Sequence, residues 1–292
     1  MKDSKVRTFV NIFGVLFLVV IIASLALTLL RKGIWNEEMG LNLLVIGDDS
    51  AGVLVLRPKE GLGSWVSLPN ELKIKISGSQ ANYPINSVWK FGLGEKRAYE
   101  ISERSIGEAM GVILPRMIKV GGEASVETVL GNMLSIPVKT DLSLLDRLAM
   151  RKYLSAIVTS KRLLELTIPG QVYEEVEEPD GKIFLEFSQV MTAWSKDKFL
   201  FDAVLAESVE LIVNNLSGLG GAGLIMSRQA ETAGMRVVEV KNDIEDVVSG
   251  TGCVFESSDS SPRSSELLEN HFGCKEIERE GEEGGELKLW LL

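Results

Sequence analysis

Three places in this 292-residue chain hold residue types that could do chemistry. The first is Gly47-Asp48-Asp49-Ser50, directly after the apolar run LNLLVI (41–46). Adjacent carboxylates on a loop are hard oxygen ligands, suited to a cation. The same residues also suit a solvated turn after a buried strand. The second is Gly218-Leu219-Gly220-Gly221-Ala222-Gly223, a G-x-G-x-x-G match between a predicted strand and a predicted helix, with Glu239 near the end of the next strand. Such a turn can hold a pyrophosphate at a helix N-terminus, with the acid on a ribose. Only about 70 residues follow, too few for a second mononucleotide-binding half, and Leu216-Ser217 separate the turn from its strand. No dinucleotide is expected. The glycines read as a tight turn that lets helix and strand pack closely. The third is the pair Cys253 and Cys274, each opening a predicted strand. In an oxidising compartment two cysteines in one small domain suggest a disulfide. The alternative is two buried free thiols.

Composition removes other functions. A single histidine and two cysteines are poor material for a zinc site. Any Ser-His-Asp or Cys-His centre would have to use His271, which lies beside Phe272 on a short predicted helix and reads as a surface or half-buried residue. The net charge of −10 argues against a nucleic-acid partner, which calls for a basic patch. At 45% hydrophobic and 25% charged, the chain is one that folds.

The elements that must position these residues begin after residues 8–30, TFVNIFGVLFLVVIIASLALTLL, which carry no charge. At about 1.5 Å per residue that run matches a bilayer core, and it is too long for a signal peptide. It is expected to be an uncleaved transmembrane helix between a cytoplasmic tail (1–7) and a juxtamembrane linker (31–40). Lys2, Lys5 and Arg7 precede it against Arg31 and Lys32 after it, which places the N-terminus inside and the body outside. Residues 1–33 carry a net +4, so the remainder holds −14, a charge repelled by an anionic inner leaflet. Trp35 suits the membrane interface.

In the body, GVLVLR (52–57), SWVSL (64–68) and ELKIKI (71–76) read as strands, and 95–113 as a helix. RMIKV (116–120) reads as a short strand, and 123–166 as mostly helical with a break at Pro137. Pro179-Asp180-Gly181 joins a hairpin, and 188–206 reads as a helical joint. VELIVNN (209–215), a helix over 222–233 and MRVVEVK (235–241) form a βαβ unit, and therefore a parallel pair. A strand CVFES (253–257), a helix opened by Pro262 and capped by Gly273, and a closing hairpin of CKEIERE with ELKLWLL follow. Trp290 reads as strand core.

Asn215, Ser217, Gly218 and Gly221, before an alanine-containing helix, Gly234 and a valine-rich strand, resemble the C-terminal domain of LytR–CpsA–Psr cell-envelope proteins. The resemblance covers about 207–292, with Leu216 where that family usually has glycine. A second resemblance covers 41–120. The Gly47–Ser50 turn, GVLVLR, Ser67-Leu68-Pro69-Asn70-Glu71, then Asn86, Trp89, Gly92 and the helix from Glu95 fall in the order of that family's catalytic domain.

The resemblance implies a transferase ancestry, in which arginines grip a polyprenyl pyrophosphate and an acidic side chain helps to bind magnesium. Here Asn70 stands at a family arginine position, Ser50 or Ala51 stands near another, and the R-x-D before the second strand is missing. Neutral residues do not supply the charge that phosphoryl transfer needs. The expected fold class is α/β: a single N-terminal transmembrane helix, a degenerate LytR–CpsA–Psr-like domain (41–187), a helical joint (188–206) and a small βαβ-containing LytR C-terminal-like domain (207–292). The expected function is non-catalytic binding or scaffolding in wall or surface-polymer assembly, without a cofactor. Expected partners are the membrane, and cell-wall glycan, lipid-linked polymer or envelope proteins. The alternative is a divergent phosphotransferase using magnesium at Asp48 and Asp49, with Arg57, Arg97, Arg104 or Arg116 as phosphate clamps. A third reading is an assembly platform without glycan contact.

Overall fold

The computed structural model describes residues 19–20, 33–135, 137–242, 252–256, 261–277 and 286–292. Of the apolar run 8–30 only Val19 and Val20 are among them, and the tail 1–7 lies outside. Among the described residues no helix is long and apolar enough to cross a membrane. The fold class is corrected accordingly: it is mixed α/β, and an N-terminal transmembrane helix has no support in it.

The first sheet is built on β1 (Leu41–Ile46), β2 (Ala51–Arg57) and β3 (Leu62–Leu68), an antiparallel meander. Two short strands follow, β4 (Lys73–Lys75) and β5 (Asn82–Pro84), which pair with each other. Helices α1 (Ile85–Gly94) and α2 (Ala98–Met110) lead into β6 (Arg116–Lys119). Then come α3 (Val126–Asn132), β7 (Lys139–Thr140), α4 (Leu144–Thr159) and β8 (Leu163–Leu166). The sheet order is β7-β6-β1-β2-β3-β8. Crossovers extend the meander on both sides: β6 lies parallel to β1 and β8 parallel to β3, and β7 pairs antiparallel with β6 at the outer edge.

The sequence of β1 explains its central place. Every residue of LNLLVI is buried, as expected for a strand covered on both faces. Leu44 and Ile46 join one core with Val53, Val55, α1 and α2, while Leu41, Leu43 and Val45 join another with Leu54, Leu56, α3 and α4. Asn42 is the polar member of the run. Its Nδ2 donates to the carbonyls of Phe199, at 2.8 Å, and Ile113, at 3.3 Å, so its burial is compensated.

The hairpin β9 (Tyr173–Glu177) and β10 (Ile183–Phe187) turns at Gly181, where φ is +79° and the N–H donates to the carbonyl of Glu178. Two short helices follow, α5 (Val190–Ser195) and α6 (Asp202–Glu207). The second sheet contains β11 (Glu210–Asn215), β12 (Arg236–Lys241), β13 (Cys253–Glu256), β14 (Lys275–Glu276) and β15 (Glu286–Leu291), in the order β12-β11-β15-β13-β14. Between β11 and β12 lies α7 (Ala222–Ala233), and the two strands are parallel. Helix α8 (Pro262–Leu267) continues as a wider turn through Phe272 and ends at Gly273.

The closing hairpin is not formed. β15 inserts between β11 and β13, parallel to the first and antiparallel to the second, while β14 lies on the far side of β13. Leu287, Leu289 and Trp290 are fully buried there, and a central strand buries more of such a segment than an edge hairpin would.

Residues 33–40, read as a linker, are packed. The N–H groups of Ile34 and Trp35 donate to Asp146, Trp35 packs on Tyr153, and Met39 joins the core of the second sheet. The two halves also interlock at α2. Gln229 Nε2 donates to the carbonyl of Val112 and Thr232 Oγ1 to that of Gly111, both buried.

Candidate functional site

The β1–β2 turn carries Asp48 and Asp49. Lys119, at the end of β6, donates its Nζ to Asp48 Oδ1 at 2.7 Å, and the N–H of Gly122 donates to Oδ2 at 2.7 Å. Both carboxylate oxygens therefore join the turn to the loop after β6. Asp48 N donates back to Gly122 O, and Ser50 Oγ accepts from Ala124 N. The hydrogen bond from Lys119, followed by that from Gly122, holds the Asp48 carboxyl below its ordinary range. Asp49 is exposed beside it. Among the described residues no group of three or more His, Cys, Asp or Glu side chains is placed to hold a metal ion.

The four arginines do not converge on this turn. Arg57 ends β2 at the opposite end from the turn, and its Nη2 binds Asp202 at 2.7 Å and Glu60 at 2.8 Å. Arg97 forms a two-pronged pair with Glu100. Arg104 lies 3.5 Å from Glu100 and donates to the carbonyl of Phe272. Arg116 lies 3.5 Å from Asp141 and donates to the carbonyl of Pro115. Each guanidinium is committed to a carboxylate of the chain itself. Asn70 is exposed.

The glycine turn is an internally bonded loop. Asn215 Nδ2 donates to the carbonyl of Leu219, Ser217 Oγ to Asn215 Oδ1, and Leu219 N to Ser217 Oγ. Gly218 and Gly221 have φ of +70° and +84°, a region that favours glycine. Gly223 serves close packing: a Cβ there would lie 3.2 Å from Asn215 Cβ and 3.2 Å from Val240 Cγ1. Asn215 and Ser217 thus spend their polar atoms on shaping the turn.

Cys253 and Cys274 are joined by a disulfide, with their Cα atoms 4.4 Å apart. The bond ties the start of β13 to the residue before β14, so it closes the edge of the second sheet.

A cluster that sequence reasoning missed lies where the two halves meet. Glu103 on α2 is largely buried, and its Oε1 has no hydrogen-bond partner among the described residues. Burial, then the facing Asp141, push the Glu103 carboxyl well above its usual range. Burial raises Asp141 as well, against the N–H of Met117, at 2.9 Å, and Arg116, which favour its anion. The two carboxyls titrate as a pair, and Glu103 is the one pushed further up. His271 comes from the other half. It is buried, where a surface or half-buried position was expected, and its ring meets Phe272 edge-on. Burial, then Arg104 and Arg116, depress it to about 3, so it is neutral. The available signal was spacing: Ser264, Leu267, Leu268 and His271 follow i, i+3, i+4, i+7, one face of a helix, and all four are buried.

A cleft of about 650 Å³ lies elsewhere, lined by Glu37, Glu38, Lys59, Ala203, Ala206, Glu207 and Arg263. Its best-placed charges have structural work. Glu207 accepts from the N–H groups of Arg263 and Ser264 and from Ser264 Oγ, capping α8. Arg263 pairs with Glu266 at 3.1 Å and Glu38 at 3.7 Å.

No family model and no curated protein sequence matches the chain. Solved structures do. TagT of B. subtilis is 10% identical, with 55% of this chain and 89% of that one covered and a TM-score of 0.40. TagV of B. subtilis is 12% identical, with 53% and 93% covered and a TM-score of 0.41. A transcriptional regulator from Enterococcus faecalis is 14% identical, with 53% and 85% covered and a TM-score of 0.41. The likeness extends over about half of this chain.

Proposed function

We propose that this chain is a non-catalytic binding or scaffolding component of cell-envelope assembly, working outside the cytoplasm. The observation that carries the reading is the placement of the arginines. Phosphoryl transfer needs guanidinium or metal charge focused on the reacting phosphate. Arg57, Arg97, Arg104 and Arg116 are each paired with a carboxylate of the chain, and Lys119 is held by Asp48. The Cys253–Cys274 bond supports an oxidising compartment. The cleft at Glu207 and Arg263, whose charges brace the fold, suits a scaffold better than a polyanion site.

The reading is tested with the full chain, a polyprenyl-pyrophosphate-linked glycopolymer and magnesium. Product should stay at the level of the protein-free blank. Magnesium-dependent turnover that disappears in Asp48→Ala would establish the divergent phosphotransferase instead.

A further inference from the structure

Helix α4 presents an outer face that stays exposed among the described residues. Leu145 and Leu148 are 50% and 46% exposed. Residues three and four apart are neighbours on a helix, so Leu145, Leu148 and Lys152 form one row, with Arg147 and Arg151 beside it. None of these three cations is in an ion pair among the described residues. The Nε of Arg147 is buried with no acceptor among the described residues. The single acid of the helix, Asp146, is buried and occupied. In a chain of net charge −10 this is a local concentration of unneutralised positive charge beside exposed leucines.

The position of this face matters as much as its chemistry. Asp146 completes a capping box with Ser143 at the start of α4. The same carboxylate accepts from Ile34 N at 3.2 Å and Trp35 N at 2.9 Å. Gly33 fits tightly against it, since a Cβ there would fall 2.6 Å from Oδ1. The 32 residues before Gly33, of which 8–30 carry no charge, therefore join the described body at the first turn of this helix.

From this juxtaposition we propose that the leucine and basic row of α4 lies on an anionic phospholipid surface, with Leu145 and Leu148 entering the headgroup boundary and Arg147, Arg151 and Lys152 meeting the phosphates. Leucines flanked by cations suit a partner that is negative at its surface and apolar just beneath. A bilayer has both layers, and a soluble polyanion has only the first. A second copy of this chain would have to supply both an apolar and an acidic complement. The remainder of the body is acidic, so this face would set its orientation on the membrane. This placement stands independently of whether the chain transfers polymer.

The test uses the full chain in vesicles of phosphatidylcholine with and without phosphatidylglycerol. Cys253 and Cys274 are bonded to each other, so a single thiol introduced by Leu148→Cys takes an environment-sensitive fluorophore. The label should shift to the blue and be quenched by brominated lipid only when phosphatidylglycerol is present. High salt should reverse the shift, because surface attraction is screened, and so should R147Q/R151Q/K152Q. A label at Leu219→Cys, on an exposed loop of the second sheet, should stay in water throughout. If Leu148→Cys melts below the wild type, Leu145→Cys carries the same measurement. A label that stays in water with both lipids overturns the proposal. So does a shift that is equal with both lipids and grows with protein concentration, which marks a second copy. A shift seen only on adding soluble polyphosphate overturns it in favour of a polymer.

Discussion

Lys119 Nζ lies 2.7 Å from Asp48 Oδ1, and this bond decides how the β1–β2 turn is used. The strongest candidate cation ligand is already neutralised by a lysine from the neighbouring parallel strand. A metal ion would have to displace that lysine and break the bond from Gly122 as well.

Magnesium should therefore leave the melting temperature of the protein unchanged. Asp48→Asn should melt lower than the wild type at neutral pH. The Asp48 carboxyl is depressed in the folded state, so its contribution is present above its unfolded pKa and is lost as pH falls through the folded value. The gap between the two proteins should close in acid. A magnesium-dependent rise in melting temperature, absent in Asp48→Asn, would replace the brace with a metal site.

His271 gives a second pH signature, and as the one histidine of the chain it can be followed by NMR without assignment. Its ring should stay neutral well below pH 6. Below about 6.5 the unfolded state takes up a proton that the folded state refuses. Stability should thus fall as pH drops from about 6.5 towards 3, with a slope of up to about 1.4 kcal/mol per unit. His271→Leu should remove that component of the slope. An imidazole that titrates at its ordinary value would show the ring to be solvated.

Glu103 acts with the opposite sign. Its raised carboxyl keeps a proton in the folded state after the unfolded chain has lost it, so stability should decline as pH rises above the usual carboxylate range. Glu103→Gln imitates the protonated form and should flatten the decline at little cost. Asp141→Asn leaves Arg116 without its carboxylate and should cost about 1–3 kcal/mol at neutral pH. Equal losses in the two variants would mean that the proton does not sit on Glu103.

The disulfide spans 21 residues of sequence. Chain-entropy arguments assign a loop of that size about 3 kcal/mol. The paired change C253S/C274S should lower the unfolding midpoint of the second sheet by several degrees, and the difference should vanish under reducing conditions. Unchanged melting with both thiols titratable in the isolated wild type would remove the bond, and with it the support for an oxidising compartment.

The local parts of this fold were legible from residue order alone. LNLLVI is apolar at every position and becomes the strand covered on both faces. The Pro179-Asp180-Gly181 turn dictates its hairpin, and VELIVNN with the following helix dictates a parallel neighbour in β12. These features depend on hydrophobic period, turn conformation and chain handedness over about 30 residues or fewer. What the long-range packing decided was different in kind. The pattern of ELKLWLL predicts half of a closing hairpin, and the segment becomes the centre of a sheet because β11 and β13 both offer an edge to an apolar segment. Local context predicts a surface or half-buried His271, and the ring is instead buried on the helix face it shares with Ser264, Leu267 and Leu268. The arginines offered as phosphate clamps find carboxylates as near as three residues away, at Glu100 for Arg97, and as far as 145, at Asp202 for Arg57. Spacing shows which charges are present. Which of them remain free for a ligand depends on partners brought together only when the sheets close.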